Sequence, residues 1–158
     1  MAKVWQIPIF DRTEEDVKFA ISKIAEWIAN GSSEIYDLKG CLNVSDINRI
    51  EGNIAYLAEH LTELHYPPDV SIRTWMQDGL PTENDVQRII YNVRACVDAF
   101  YQVRNAPTIP SSMLSYNHIN DIERNLDLIK YLLDIMVSSF KKSGAFQCGS
   151  SMVLPIRR

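Results

Sequence analysis

The chain of 158 residues is 46% hydrophobic and 23% charged, the composition of one soluble globular domain with a sizeable core. Its formal net charge of -4 argues against broad binding to nucleic acid. No apolar run approaches the roughly 20 residues that span a bilayer, and the first residues lack the features of a signal peptide. Cys41, Cys96 and Cys148 are odd in number and widely spaced, which favours free thiols in a reducing cytoplasm.

The chain begins with an apolar segment around Pro8. Proline and the residue before it favour an extended backbone, so residues 1–12 are predicted to form an extended N-terminal arm. Apolar side chains on such an arm need a surface to bind. The candidate partner-binding residues here are Val4, Trp5, Ile7 and Phe10.

A first helix is predicted over 13–30, at the start of a helical bundle domain that spans 13–143. Thr13 is a favourable N-cap with Asp16 three residues later, and Gly31 ends the helix. One side of this helix is apolar at helical spacing and is expected to pack in the bundle. Its members are Val17, Ala20, Ile21, Ile24, Trp27 and Ile28.

A helical phrase occurs three times without a gap, at 43–61, 82–100 and 115–133. Each copy opens with a polar cap and has a possible polar partner for it three residues later, which is Asp46, Asp85 or His118. Apolar residues then recur in steps of three and four, which is typical of helices packed as a bundle. The predicted helices are 43–64, 82–103 and 115–141. The apolar stripes expected in the core are Ile47, Ile50, Ile54, Leu57 and Leu61; Val86, Ile89, Val93, Cys96 and Phe100; and Ile119, Ile122, Leu126, Ile129 and Leu133, continuing to Met136 and Phe140.

The connections carry the signals of extended chain. Segment 66–79 holds two prolines and an alternating apolar pattern, so it is predicted to be extended or to form a short strand. Residues 105–112 are predicted to be a loop because they contain two prolines. Residues 144–158 form a predicted extended C-terminal tail whose apolar side chains indicate a partner surface. The candidate partner-binding residues in the tail are Phe146, Met152, Val153, Leu154 and Ile156.

The eleventh position of every copy of the helical phrase is asparagine. A buried amide both donates and accepts, so bonds to the backbone of a neighbouring loop are the favoured interpretation, and a ligand site built from three amides is the alternative. The seventh position is arginine in two copies and Asp121 in the third, which suggests contacts between helices or, more weakly, a phosphate site. The residues of this polar repeat are Asn53, Asn92, Asn125, Arg49 and Arg88.

The sequence contains no recognised motif for catalysis, phosphate binding, dinucleotide binding or zinc binding. His60 and His65 are five residues apart, which is the wrong spacing for one face of a helix. We therefore expect no enzymatic activity, no cofactor and no metal site.

Three segments resemble uncharacterised helical proteins encoded in the structural modules of phages and prophages of Gram-positive bacteria. They are I-P-I-F-D-R-T from Ile7, D-L-K-G-C-L-N-V-S-D-I-N-R-I-E-G-N-I-A-Y-L-A-E-H-L from Asp37, and F-K-K-S-G-A-F-Q-C-G from Phe140. The phrase K-G-x-L-N-x-x-D-I-N-R-I-E is the specific part. The resemblance implies a component of a tail, baseplate or fibre, and it supplies no catalytic or ligand residues to transfer.

These observations predict an all-α bundle of about four helices with an extended arm and an extended tail. The expected function is that of a structural or adaptor protein of a phage tail, baseplate or fibre-attachment region, or of a phage-derived particle. Its partners would be other phage structural proteins or further copies of itself, without nucleic acid or membrane. It would assemble in the cytoplasm of the bacterial host and reside in the virion. Two alternatives stay open: an intracellular phage accessory protein that binds a host factor, and a small-molecule binder or enzyme that uses the repeated asparagines and arginines.

Overall fold

The computed structural model describes residues 3–31, 37–76, 79 and 81–142, and in this part of the chain the fold is all-α with no strand. The predicted fold class of about four helices is therefore confirmed. The tail at 144–158 lies outside the described residues, as does the side chain of Phe140. The helices are α1 (Glu14–Asn30), α2 (Val44–Glu63), α3 (Glu83–Ala99) and α4 (Tyr116–Lys142).

The helix starts follow from their caps. Thr13 and Thr82 each accept a hydrogen bond from the backbone of the aspartate three residues later, whose carboxylate accepts the backbone N–H of the threonine in return. Asp46 likewise accepts the backbone N–H of Asn43 at 3.0 Å. In α4 the backbone N–H of His118 donates to Ser115 Oγ at 3.3 Å. The His118 ring contacts a serine hydroxyl of the preceding loop, so it does not return the cap bond.

Helix α3 ends four residues earlier than the sequence predicts. Phe100 leaves the helical region with φ -114° and ψ -81°, and the chain continues as an extended segment. The predicted extended character of 66–79 is also present in its described residues. Its backbone bonds to helix side chains instead of a neighbouring strand, which is why no strand forms there.

Helices α2, α3 and α4 surround a single core. All five stripe residues of α2 are buried, together with the central residues of the other two stripes. Trp75, from the segment between α2 and α3, is buried in the same cluster. Ala20 is the only residue of α1 that is buried, so the core is completed by three helices and their connections.

Each space between two of these helices holds an extended segment. The arm (residues 3–12) lies between α2 and α4, the first linker (66–76) between α2 and α3, and the second linker (101–113) between α3 and α4. The three helices and three segments therefore form an approximate threefold arrangement. The chain passes through it as segment then helix, three times, and α1 is inserted between the arm and α2.

Candidate functional site

The repeated asparagines hold the extended segments by their backbones. Asn53 accepts the backbone N–H of Gln6 and donates to its carbonyl, both at 2.9 Å. Asn92 makes the same pair of bonds to Ser71, at 3.1 and 2.7 Å. Both amides are almost completely buried, so these bonds replace water that cannot reach them. In each case the helix position fixes the register of a segment that is distant in sequence.

The third asparagine makes a weaker version of this contact. Asn125 donates to the carbonyl of Pro107 at 3.0 Å and to the carbonyl of Asp121 in its own helix at 2.8 Å. Pro107 has no backbone N–H, so the reciprocal bond cannot form. At this position of the repeat the second linker therefore receives one bond, whereas the arm and the first linker each receive two.

The sixth position of the repeat makes equivalent bonds on the opposite side of each helix. Asn48 donates to the carbonyl of Trp75 at 2.9 Å and accepts its N–H at 2.8 Å. Asn120 contacts the carbonyl and the N–H of Arg12 at 2.9 and 3.3 Å. Gln87, in the remaining copy, donates to one carbonyl of the second linker at 3.0 Å. Each segment is thus bonded to both helices that flank it.

A buried cluster of four charges joins the arm to α2 and α4. Arg12 Nη2 lies 2.8 Å from Asp46 and 3.0 Å from Glu123, and Arg49 makes bonds of 3.0 and 2.7 Å to the same glutamate. All four residues are buried and their formal charges cancel. Burial raises the pKa of Asp46, but hydrogen bonds from Asn43 and Arg49 and the nearby arginine charges outweigh it, so this pKa lies below its ordinary value.

The space between α2 and α3 contains a related pair. Arg88 binds the buried carboxylate of Glu51 and also donates to the carbonyl of Ser71. Glu51 additionally lies 3.4 Å from the indole nitrogen of Trp75. A helix, an extended segment and a second helix are therefore connected through one carboxylate, as they are around Glu123.

These contacts argue against a ligand site built from the polar repeat, because its five residues do not converge on one cavity. The asparagines bind backbone groups of the extended segments. The two arginines bind carboxylates in different inter-helix spaces. Arg49 borders a cleft together with Ile9 and Lys39, but its guanidinium is already paired with Glu123. Arginines whose donors are occupied in this way have little left for a phosphate.

Sequence reasoning missed the carboxylates and Arg12. Glu51 and Glu123 occupy the same position of the repeat, two residues after the arginine position, and that coincidence was the available signal. Arg12 gave no such signal because it precedes a cap in a segment with no periodicity. Its burial follows from the path of the arm, which places it between two carboxylates.

The expectation that the apolar side of α1 packs in the bundle is wrong for three of its members, of which Ile24 is the least exposed at 38%. Ile21 and Ile28 are 62% and 76% exposed, and they lie on one side of the helix because they are seven residues apart. The physical reason is that the extended segments fill the spaces where a fourth helix would pack. The result is a helix that presents large aliphatic side chains to solvent.

Only some of the apolar residues of the arm contact the bundle. The Trp5 ring packs edge-on against Tyr56 with centroids 5.5 Å apart, and the Arg124 guanidinium lies 5.0 Å from the centroid of Phe10. Val4 and Ile7 point outward, with 76% and 85% of their surface exposed. Of the four arm residues predicted to bind a partner, two are therefore half-buried against the chain itself and two are available to another molecule. The predicted partner-binding residues of the tail lie outside the described range.

Within the described ranges, no group of three His, Cys, Asp or Glu side chains is arranged to hold a metal ion. In the same part of the chain, no helix combines the length and the apolarity needed to span a membrane. Comparisons with protein-family models, curated proteins and solved structures gave no match.

Proposed function

We propose that this chain is a structural or adaptor protein of a bacteriophage tail, baseplate or fibre-attachment region, or of a phage-derived particle, and that it acts by protein–protein assembly. The observation that carries the proposal is the exposed side of α1. Ile21 and Ile28 remain in solvent although the core is complete without them. Exposed aliphatic surface on a helix is typical of contact with another protein.

The phrase that resembles phage proteins lies where α1 meets the bundle. At Gly40 a side chain would collide with the backbone carbonyl of Asp16, so the loop approaches α1 closely only because this residue is glycine. Asp46, Arg49 and Glu51 of the same phrase are buried in ion pairs. The phrase thus encodes the attachment of the exposed helix and the filling of two inter-helix spaces.

The partners in this proposal are other phage structural proteins or further copies of the chain. Assembly would take place in the cytoplasm of the bacterial host, and the assembled protein would reside in the virion. Val4 and Ile7 on the outer side of the arm offer a second apolar contact. An accessory protein that binds a host factor would use the same surfaces, so the two functions differ in where the protein is found.

Mass spectrometry of density-purified particles from the producing strain tests the proposal. We expect the chain in the particles at a fixed copy number relative to the major tail protein. A chain absent from particles but abundant in the infected cytosol would contradict the proposal and favour the host-directed alternative. A particle-free lysate fraction from the same culture serves as the control for carry-over.

A further inference from the structure

A groove of about 390 Å³ remains open where α2 and α4 approach their C-terminal ends. The arm fills the rest of the space between these helices, and its first described residue, Lys3, donates its backbone N–H to Glu59 beside the groove at 3.2 Å. The Tyr56 and His60 rings stack at 4.1 Å and form one wall. The apolar residues that line the groove are Leu64, Leu133 and Val137.

At this end of the bundle, the segment that follows each of α2 and α3 lies beside the next helix. After α2, Tyr66 packs edge-on against Phe100 at the end of α3, with ring centroids 5.6 Å apart. After α3, Tyr101 borders a cleft with Leu132 and Met136 of α4. Following this order, the segment after α4 is the C-terminal tail, and the next helix around the bundle is α2. The space that this tail reaches in the same order is the groove between α2 and α4.

We propose that the C-terminal tail, residues 144–158, binds in this groove between α2 and α4 of its own chain. Helix α4 continues beyond Leu133, which corresponds to Phe100 in the repeat, as far as Lys142. That extra length is roughly 14 Å at 1.5 Å per residue. An extended chain returns over this distance in about four residues of 3.3 Å each. The apolar residues at 152–156 come later than that, so they reach the groove.

The tail has the chemistry of the segment that already fills the rest of this space. Residues 154–156 read Leu-Pro-Ile and residues 7–9 of the arm read Ile-Pro-Ile. Proline favours an extended backbone and reduces the entropy lost on ordering, so such a sequence suits the placing of apolar side chains along a groove. The tail ends in Arg157 and Arg158, and Glu63 on the groove has no ion-pair partner in the described part of the chain. The groove therefore offers apolar side chains to the apolar residues of the tail and a carboxylate to its arginines.

This inference assigns the apolar tail residues to the chain's own groove, where the sequence suggested a neighbouring subunit. The side of α1 with Ile21 and Ile28 and the outer side of the arm remain for partners. The inference is independent of the proposed function because it concerns the purified protein alone, whatever particle or partner the protein binds.

The test uses the full chain with a nitroxide spin label on Cys148 and NMR detection of backbone amides. Cys41→Ser removes the partly exposed thiol, and Cys96 is buried and stays unlabelled. Val137→Glu places a charge in the groove, and Ile135→Glu places the same charge two residues away on α4, where it borders the second linker. Both residues are already partly exposed, at 39% and 42%, so both variants should fold.

We expect the label to broaden the amide signals of His60, Leu64 and Val137 and to spare those of α3, such as Arg94. This selective broadening should persist on dilution and in Ile135→Glu, and it should be lost in Val137→Glu. Uniform or absent broadening, or broadening that Val137→Glu leaves unchanged, would overturn the proposal. So would broadening that is seen only when spin-labelled chain is mixed with isotope-labelled chain, since that result assigns the groove to the tail of a second copy.

Discussion

Arg49 and Glu123 are 74 residues apart in sequence and are joined by two hydrogen bonds of 3.0 and 2.7 Å in the buried space between α2 and α4. The same relationship recurs between Arg88 and Glu51 in the space between α2 and α3. In both, position seven of one copy of the repeat binds position nine of another. The equivalent positions in the third space are Asp121 and Ile90, so neither member of the ion pair is present there.

This pattern favours duplication of a segment-plus-helix unit over convergence on a good helix pattern. Capping and apolar periodicity explain why three helices look alike, but they do not require equivalent partners at positions six, seven, nine and eleven. Those positions lie on the two flanks of the apolar stripe, since 3.6 residues make one turn. The equivalent contacts therefore reflect equivalent places in a threefold arrangement, with α1 as an insertion in the first unit.

Removing the carboxylate of Glu123 should destabilise the protein strongly. Glu123→Gln leaves Arg12 and Arg49 buried with only Asp46 to balance them, and breaking a buried ion cluster in this way costs about 3–5 kcal/mol. We expect the free energy of unfolding in urea to fall by that order. The matched control is Asp134→Asn, which breaks an exposed pair with Lys130 and should cost at most about 1 kcal/mol. Similar losses in the two variants would contradict the role assigned to the cluster.

The loss of stability on removing each asparagine should depend on how many hydrogen bonds it makes to an extended segment. Asn53→Ala and Asn92→Ala each leave a segment N–H and a carbonyl without a partner, at about 1–3 kcal/mol for each buried group left unsatisfied. Asn125→Ala removes one bond to the second linker and should cost less.

Hydrogen exchange gives a local measurement of the same contacts. The amide of Gln6 should lose protection in Asn53→Ala, and that of Ser71 should lose protection in Asn92→Ala. Each variant is the control for the other. Equal loss of protection at both amides in either variant would show global destabilisation instead of release of one segment.

The charge on Asp46 should contribute to stability at neutral pH and not in acid. Its pKa in the folded protein lies below the ordinary value, so the contribution is complete above the unfolded pKa of about 3.9 and is lost as the pH falls through the folded pKa. Asp46→Asn should therefore lower the free energy of unfolding at about pH 7 and have a smaller effect near about pH 3. Urea unfolding of both proteins at the two pH values measures the difference. If the difference in free energy of unfolding between the two proteins were as large in acid as at neutral pH, this linkage would be ruled out.

Cys96 should be inert to thiol reagents in the folded protein. Burial raises its pKa to about 12, so the reactive thiolate is nearly absent at neutral pH and the reagent has no access to it. Alkylation with iodoacetamide, followed by peptide mass spectrometry, should leave Cys96 unmodified until urea unfolds the chain. Rapid modification under native conditions would contradict its place in the core.

The sequence was sufficient for the parts of the fold that depend on local patterns. Two helix starts were predicted from their capping pairs, Thr13 with Asp16 and Thr82 with Asp85. A buried face was predicted from the apolar stripe between Ile47 and Leu61. It was insufficient where a long-range partner decides the outcome. The apolar spacing of α1 predicts a buried helix, but its exposure depends on extended segments that occupy the remaining space.

The same limit applies to the polar residues. The asparagine repeat indicated backbone contacts, but it did not say which backbone, because Gln6 is 47 residues from Asn53. Arg12 looked like an ordinary residue before a cap, and its burial between Asp46 and Glu123 depends on where the arm lies. The three-copy alignment contained part of this information in the shared position of Glu51 and Glu123.

The exposed side of α1 provides the last prediction, which concerns assembly. Ile21→Glu with Ile28→Glu places two charges on this side without disturbing the core, so the free energy of unfolding should change by less than about 0.5 kcal/mol. Incorporation into particles should nevertheless be lost, because two carboxylates would have to be desolvated in the contact.

The matched control is Ser22→Glu with Ala29→Glu, which places the same charges with the same spacing on the polar side of the helix. Quantitative mass spectrometry of particles from strains carrying each pair gives the comparison. Normal incorporation of the Ile21 and Ile28 variant would exclude this side of α1 as the assembly contact, whereas equal loss in both pairs would indicate a general effect of added charge.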